Sequence, residues 1–297
     1  GNQSWSGDIT IPAAEYNSND VKVQVHARDF SGNVYDSEIV PLKIDITHPT
    51  IAVTYDLNTP LNERYYKDVR TATVVVIERN FDESAVRFNI TNTDGTQPAI
   101  SGWTHSANAG VSDDATHTCQ VTFAADGDYT FTLETTDLAG NAAADYTQDK
   151  FTVDKTDPEV EFFDIEDKSA NNGTVAPGVK YSDVNYMESG VDITIKGAKH
   201  DKTELSGNRT NIANGESIKM EDFKHDEETD DVYTMTAVIK DKAGNETEKE
   251  VMFSVNRFGS NYIFSETTEK FLDDVYANKP KDLVVTEVNV DSLVFNG

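Results

Sequence analysis

The sequence has one cysteine, few basic residues and no long hydrophobic run, and each of these absences excludes a class of protein. Cys119 is the only cysteine in 297 residues, so the chain can form neither an internal disulfide nor a cysteine-based zinc site. No stretch reaches the ~18 consecutive apolar residues of a membrane-spanning helix, so direct membrane insertion is not expected. Basic side chains number 25 against 53 acidic ones, a formal charge of −28. This charge repels phosphate backbones, so nucleic acid is not an expected partner.

The sequence also lacks the short motifs of common enzyme classes. It contains no G-x-S-x-G, no phosphate-binding loop and no G-x-G-x-x-G, and its six histidines form no H-E-x-x-H pair. We therefore predict that the protein is not an enzyme. A glycosidase with paired carboxylates stays open, because acids are abundant and their separation in space cannot be read from a sequence.

What the sequence does have is alternation of apolar and polar residues in many short runs. This pattern predicts strands with one buried face, as in RTATVVVIE (70–78), THTCQVTF (116–123) and VYTMTAVIKD (232–241). Cys119 lies in the second of these runs and is predicted to be a small core residue. Only residues 265–276 have a helical pattern, with Ser265 as a candidate N-cap, and a strand-like run follows at 282–295. The predicted fold class is all-β.

A five-residue motif, D-x-[SA]-G-N, occurs three times, at residues 29–33, 137–141 and 241–245. The copies begin 108 and 104 residues apart, which is the length of one sandwich domain. A strand pattern precedes each copy and another follows it, so each motif is predicted to form a hairpin loop. The aspartate can accept hydrogen bonds from turn amides, and the glycine supplies the positive φ that closes the loop.

Two of the strands that follow the motif end in a D-x-T-x-P linker, at residues 45–49 and 154–158. Proline ends sheet pairing and stiffens the chain, and a new alternating run starts after each one. We interpret both linkers as domain boundaries. The third copy has Asn256 at the position of the linker aspartate and lacks the proline.

Two strand starts have the spacing of a tyrosine corner, D-G-D-Y at residues 126–129 and D-D-V-Y at residues 230–233. This feature is typical of immunoglobulin-like sandwiches. The sequence therefore predicts tandem immunoglobulin-like β-sandwiches with a short C-terminal helix and strand segment. The predicted segments are a partial unit holding the C-terminal half of a domain (1–47), two domains (48–155 and 156–256), and an extension or the start of a further unit (257–297).

The two motifs together, D-x-[SA]-G-N and a D-x-T-x-P about sixteen residues later, resemble bacterial immunoglobulin-like (Big-type) repeats of surface adhesins and cell-wall proteins. The resemblance covers both complete units and the trailing half of another. It implies an extracellular protein, at the cell surface, in the cell wall or secreted, whose tandem domains act as stalks or in cell adhesion.

The resemblance also implies a candidate metal site, because loop and linker acids hold calcium at the junctions between domains in some relatives. Carried over by motif position, the ligands would be Asp29 and Asp45 at one junction, and Asp137 and Asp154 at the next. Asp241 has only Asn256 as its partner there. Hard oxygen ligands suit calcium, whereas the alternative is that these acids only accept backbone amides in turns. For Asp137 the residues favour the turn, so calcium is a candidate ligand and no cofactor is required.

Two hypotheses for the function follow. The first is a non-catalytic tandem immunoglobulin-like region of a bacterial surface or secreted protein, acting as a stalk, a spacer or an adhesion module towards a host or cell-surface protein or glycan. The alternative is an accessory glycan-binding module of an extracellular carbohydrate-active enzyme, with Trp5 and Trp103 as candidate sugar-stacking rings. Packing inside a sandwich is the competing interpretation of both tryptophans.

Overall fold

The protein consists of two compact units, Gly1–Val153 and Asp154–Gly297. The computed structural model describes residues 6–144, 146–199, 207–208, 215, 217–219, 227–272, 282–288, 291–292 and 294. Almost all of its regular elements are strands, and the one α-helix of the described residues is short. The predicted all-β fold is confirmed. The finer division into four segments stays a prediction.

The first unit begins with four short strands, β1 (Ser18–Val23), β2 (His26–Arg28), β3 (Val34–Asp36) and β4 (Val40–Ile44). β1 pairs with β4 and β2 with β3, both antiparallel. The β2–β3 hairpin carries the first copy of the repeated motif, and Phe30 at its tip is fully exposed. Asn19 near the start of β1 donates hydrogen bonds to Asn80 and to the carbonyl of Gly110. The predicted half-unit therefore makes polar contacts with the sandwich that follows it.

The described residues of the first sandwich form nine strands. They are β5 (Thr50–Tyr55), β6 (Tyr65–Tyr66), β7 (Arg70–Ile77), β8 (Arg87–Asn92), β9 (Ala99–Ile100), β10 (Thr104–His105), β11 (Thr116–Phe123), β12 (Gly127–Glu134) and β13 (Asp149–Val153). One sheet has the order β10-β11-β7-β5, with β9 on β11, and the other has the order β6-β13-β12-β8. β6 pairs with β13 in parallel, and the other pairs are antiparallel.

The apolar residues that alternate with polar ones along these strands form the core between the two sheets. Val74 on β7, Cys119 and Phe123 on β11, and Phe131 on β12 all point into one buried cluster. Cys119 is 2% exposed, which confirms its predicted place in the core. Each of these side chains is two residues from the next buried one on its strand, as a sheet with one buried face requires.

The second unit repeats this architecture. Its strands are β14 (Glu159–Phe163), β15 (Ser169–Asn171), β16 (Gly178–Ser182), β17 (Tyr186–Gly197), β18 (Gly207–Asn208), β19 (Ser217–Lys219), β20 (Asp231–Asp241) and β21 (Glu246–Val255). The sheets have the orders β14-β16-β19 and β15-β21-β20-β17-β18. β15 pairs with β21 in parallel, as β6 does with β13. A separate core includes Ile193, Met235 and Phe253.

Both units contain the tyrosine corner that the sequence predicts. The hydroxyl of Tyr129 donates to the carbonyl oxygen of Ala125 at 2.9 Å, and that of Tyr233 donates to the carbonyl oxygen of Thr229 at 2.7 Å. Each bond joins a tyrosine near the start of a buried strand to the loop that precedes that strand. The same local hydrogen bond therefore occurs in both units.

The chain continues after β21 into β22 (Tyr262–Phe264), α1 (Glu266–Leu272) and β23 (Val285–Glu287). β22 and β23 pair antiparallel. The Ser265 hydroxyl accepts a hydrogen bond from the backbone N–H of Thr268, which confirms the predicted N-cap. The predicted helix extends to residue 276, but residues 273–276 lie outside the described part of the chain.

Candidate functional site

The strand register of the first sandwich brings three acids to one end of it. Thr50 at the start of β5 pairs with Ile77 at the end of β7, so Asp45 before β5 and Glu78 after β7 lie at the same end. β12 ends there too, and Asp137 follows it in the hairpin loop. One carboxylate oxygen from each of Asp45, Glu78 and Asp137 lies within 4.8 Å of the others. We call these three residues the first acidic cluster.

Asp45 is fixed by several donors. Its Oδ1 accepts the backbone N–H of Thr47 at 3.0 Å, and its Oδ2 accepts from the side-chain amide of Asn80. The guanidinium of Arg79 lies 3.2 Å from Oδ1, and the Asp45 side chain is 2% exposed. Burial alone raises the pKa of this carboxyl, but the hydrogen bonds and the charge of Arg79 outweigh burial and hold the pKa below its ordinary value. Asp45 is therefore an anchored carboxylate.

Glu78 is fully buried, at 0% exposure. Its Oε1 accepts the backbone N–H of Asn80 at 2.7 Å. Its Oε2 is buried and has no hydrogen-bond partner among the described residues. Burial raises the pKa of Glu78, and the neighbouring charges of Asp45 and Asp137 raise it further. A buried carboxylate oxygen without a donor is uncommon, because desolvation of such a group costs about 1–3 kcal/mol or more.

Asp137 sits in the hairpin loop and caps its own turn. Its Oδ1 accepts the backbone N–H groups of Ala139 and Asn141, each at 2.8 Å. Gly140 has a φ of 91°, which is the left-handed conformation that the motif predicts. The side-chain amide of Asn141 donates both to Oδ2 of Asp137 at 2.8 Å and to the backbone carbonyl of Asp45 at 3.2 Å. The predicted turn is confirmed. The same loop also binds the linker, through the hydrogen bond from Asn141 to the carbonyl of Asp45.

The second unit has the same arrangement, with Asp154, Asp183 and Asp241 in place of the three acids. The register again explains it, because Glu159 at the start of β14 pairs with Ser182 at the end of β16. One oxygen from each acid lies within 4.8 Å of the others. We call these residues the second acidic cluster.

The hydrogen bonds around the linker aspartate and the loop asparagine occur at matching positions in the two clusters. Asp154 accepts from the backbone of Thr156 at 3.2 Å and from the side chain of Asn185 at 2.6 Å, as Asp45 does from Thr47 and Asn80. The side chain of Asn245 donates to Asp241 at 2.7 Å and to the carbonyl of Asp154 at 2.9 Å, as Asn141 does in the first unit.

Asp183 occupies the position of Glu78. Burial raises its pKa to about 6, and the charges of Asp154 and Asp241 contribute in the same direction. The two clusters differ in the charge of the residue that follows this acid. Val184, 94% exposed, follows Asp183, whereas Arg79 follows Glu78 and forms ion pairs with Asp45 at 3.2 Å and Asp113 at 3.1 Å.

The structure groups the predicted site residues differently from the sequence interpretation. The sequence assigned Asp29 with Asp45, and Asp137 with Asp154. In the structure Asp45 and Asp137 lie in the first acidic cluster, and Asp154 lies in the second. The physical reason is that each linker aspartate immediately precedes the first strand of a sandwich, at the end where that sandwich has its own hairpin loop. Whether calcium binds there stays a prediction.

Asp29 belongs to neither cluster. Its carboxylate accepts the backbone N–H groups of Ser31 at 2.9 Å and Asn33 at 2.8 Å, within its own exposed loop. These hydrogen bonds, above all those from Asn33, lower its pKa. Asp29 therefore caps a turn in the structure.

Sequence reasoning missed Glu78 and Asp183. A signal exists in the sequence, because each is an acid directly after the second long strand of its unit and is followed two residues later by asparagine, as E-R-N at 78–80 and D-V-N at 183–185. The asparagine is the residue that holds the linker aspartate. This three-residue pattern is too short to be recognised in a sequence, because only the strand register shows that it lies beside the linker aspartate.

Trp103 packs inside the first sandwich. Its ring lies 4.8 Å from the ring of Phe81 and 6.3 Å from that of Phe88, measured between centroids. Trp5 lies outside the described residues. The described ring contacts therefore place Trp103 in a packing role. No described helix has the length and apolar character needed to cross a membrane.

No protein-family model matches the chain, and no curated protein sequence matches it. Similar solved structures include the adhesin FdeC of Escherichia coli, at 14% identity and a TM-score of 0.34, aligned over 69% of this chain and 63% of that one. The N-terminal part of the bacterial S-layer protein SbsC is similar at 17% identity and a TM-score of 0.21, over 71% and 44%. The FN1–FN3 domains of chicken CNTN1 are similar at 10% identity and a TM-score of 0.23, over 77% and 74%. Similarity at this level assigns neither a family nor a function.

Proposed function

We propose that this chain is a non-catalytic segment of tandem immunoglobulin-like domains from a bacterial surface or secreted protein, and that it serves as a spacer outside the cell. The observation that carries the proposal is the repeated attachment of each linker to the domain that follows it. In both units an asparagine of the hairpin loop donates to the backbone carbonyl of the linker aspartate.

This attachment suits a load-bearing chain. Asn245 is 3% exposed and binds both Asp241 and the carbonyl of Asp154. A force that pulls on the linker is therefore resisted by the hairpin loop as well as by the strand that follows. Buried hydrogen bonds of this kind contribute more than exposed ones, because water cannot replace the lost partner easily.

The surface chemistry supports an extracellular spacer over the alternative functions. A formal charge of −28 favours solubility and disfavours contact with anionic polymers. The packing of Trp103 on Phe81 and Phe88 argues against its use as a ring of a sugar-stacking platform.

Single-molecule force spectroscopy on the whole chain tests the spacer role. We expect two large unfolding events, each of which releases about 350 Å, because ~100 residues extend by ~3.5 Å each. Asn245→Ala is expected to lower the force of one event only, since it removes the loop-to-linker hydrogen bond. Asn172→Ala, which changes an exposed asparagine of the same unit, is the matched control and should leave both forces unchanged.

A glycan array and a host-cell binding assay with the same protein complete the test. A spacer should give no saturable binding in either assay. Saturable binding that soluble glycan competes away would overturn the proposal in favour of the glycan-binding module, and saturable binding to cells alone would overturn it in favour of an adhesion module.

A further inference from the structure

Two histidines face each other at the edge of the first sandwich. His105 on β10 and His117 on β11 are direct partners in the antiparallel register, and directly opposite residues point to the same face of a sheet. The Nδ1 atoms of the two rings lie 2.7 Å apart. Among the described strands β10 is the last one of its sheet, so the pair lies between a buried strand and solvent.

His117 has a position on the buried face of β11, on which the next two buried residues are Cys119 and Val121. It is itself 3% exposed. Its Nε2 lies 2.7 Å from the backbone carbonyl oxygen of Glu78, and a carbonyl oxygen only accepts hydrogen bonds. Nε2 therefore carries the proton of the neutral ring, and Nδ1 presents a lone pair towards His105.

The surroundings of His117 hold its ring in place and keep it neutral. The ring of Phe81 stacks on it, with 4.3 Å between centroids and 16° between planes. Burial lowers the pKa of His117, and the hydrogen bond to the carbonyl of Glu78 opposes this effect only in part. A neutral imidazole whose second nitrogen donates to a backbone carbonyl is the form in which histidine binds metals.

The spacing of the two Nδ1 atoms distinguishes between metal geometries. Two ligands at right angles around a metal, with metal–nitrogen bonds of ~2.0 Å, lie ~2.8 Å apart, whereas two ligands of a tetrahedral ion lie ~3.3 Å apart. The observed 2.7 Å is close to the first value. Because His105 is exposed, its ring can turn so that both lone pairs meet one ion, which replaces the proton between the rings.

We propose that His105 and His117 bind one copper(II) ion through their Nδ1 atoms, with water at the remaining positions. Imidazole suits copper, nickel and zinc, and among these divalent ions a given site binds copper most tightly. Within the described part of the chain, neither histidine belongs to a group of three metal-ligating side chains. The four protein ligands typical of structural zinc are therefore not assembled there.

The ion joins the end strand β10 to the buried strand β11. The site lies outside both acidic clusters, and it does not depend on the spacer role, because force and adhesion measurements made in EDTA test that role without the metal.

Calorimetric titration of the whole chelator-treated protein with copper(II) chloride tests the proposal, with glycine present as a weak competing ligand. We expect one site that binds copper more tightly than zinc. His105→Ala changes an exposed residue and should lower the affinity by at least the ~10- to 100-fold caused by loss of an outer-shell partner. His26→Ala is the matched control, because it removes an exposed histidine that contacts Asp36 instead, and it should leave the tight site unchanged.

Nuclear magnetic resonance locates the ion, because copper(II) is paramagnetic and broadens the amide signals of residues near it. Thr104 and Thr118, the neighbouring pair in the register, should lose their signals first as copper is added. The signals should return when the pH is lowered from about 7 to about 5, because protons compete for imidazole in this range while carboxylates stay mostly ionised. His105→Ala should retain its β-sheet circular dichroism and show no such broadening.

Four outcomes would overturn the proposal. These are the absence of saturable copper binding, an affinity that His105→Ala leaves unchanged, zinc binding as tight as copper binding, and broadening that begins elsewhere in the chain, which would indicate an adventitious ion only.

Discussion

At the scale of single residues, burial changes the chemistry of side chains that would otherwise be reactive. Cys119 is 2% exposed and lies beside its pairing partner on β7, Val74, in the core of the first sandwich. Burial raises the pKa of its thiol to about 11, and the charge of Glu83 adds to the effect. Only the thiolate is nucleophilic, so the native protein has a thiol that is both inaccessible and protonated.

We therefore expect Cys119 to resist thiol reagents at neutral and mildly alkaline pH while the first sandwich is folded. The measurement is the rate of colour release from Ellman's reagent with native protein and with protein in denaturant. One equivalent should react in denaturant and almost none in the native state. Rapid labelling of the native protein would show that the core of the first unit opens readily.

Residues that act locally could be predicted from the sequence, and residues that depend on register could not. Asp137 and Gly140 have the roles that their motif predicts, because the turn is built within five residues. Glu78 meets Asp45 through the pairing of β5 with β7, and it meets Asp137 because the loop after β12 pairs with the segment after β7 at Phe81. A short acid-x-asparagine pattern does not contain that pairing, so two of the six cluster acids were missed.

At the scale of elements, an arginine surrounded by aromatic rings closes one end of the first sandwich. The guanidinium carbon of Arg70 lies 3.6 Å from the ring centroid of Tyr55, 4.2 Å from that of Tyr66 and 4.5 Å from that of Phe151. Its Nε donates to the carbonyl of Leu57 at 2.9 Å. Cation–π contacts strengthen when water is excluded, so this group joins β5, β6, β7 and β13.

Two tyrosines beside this arginine share one acceptor. The hydroxyls of Tyr55 and Tyr146 donate to Oδ2 of Asp149, at 2.5 and 2.6 Å. Burial, and then the hydrogen bond to Asp149 and its charge, raise the pKa of both phenols well above the ordinary value. The folded protein therefore keeps these protons at a pH at which the unfolded chain releases them.

A raised folded-state pKa gives a stability contribution that is complete below the unfolded pKa and is lost as the pH rises. Because tyrosine in an unfolded chain ionises near pH 10, the free energy of unfolding of the first unit should begin to fall near pH 9 and should keep falling as the pH rises towards the raised folded-state pKa. Tyr55→Phe should make this fall shallower. Urea unfolding at a series of pH values measures it, with Tyr35→Phe, an exposed tyrosine, as the control. A slope unchanged by Tyr55→Phe would contradict the assignment.

Long strands were predictable because alternation repeats several times along each one. β7, β11 and β20 all coincide with predicted runs. Very short strands were not predictable, because β6 and β15 have two and three residues and no period can be seen in so few positions. Their parallel pairing with β13 and β21 follows from the path of the chain around the sandwich.

At the scale of the whole molecule, each unit has its own hydrophobic core. Phe131 belongs to the first core and Ile193 to the second, and both are 0% exposed. Replacing a buried Phe or Ile with Ala costs about 2–5 kcal/mol, through lost burial and the cavity that remains. The cost should be confined to the unit in which the residue lies.

Differential scanning calorimetry of the whole chain should then show two transitions. Phe131→Ala is expected to lower one melting temperature and Ile193→Ala the other, by roughly 10 °C or more for a domain of this size. Ile9→Ala, at a side chain 74% exposed, should change neither. A single transition that both core variants lower equally would contradict independent cores.

The position of the linker aspartates also bears on how such a chain could lengthen in evolution. Asp45 and Asp154 each stand at the beginning of the domain whose Glu78 or Asp183, and whose hairpin loop, they meet. A gene segment that starts at the linker codon and ends before the next one therefore encodes a domain together with all three of its acids. Duplication of that segment adds a complete copy in one recombination event, without any need for the neighbouring copies to change.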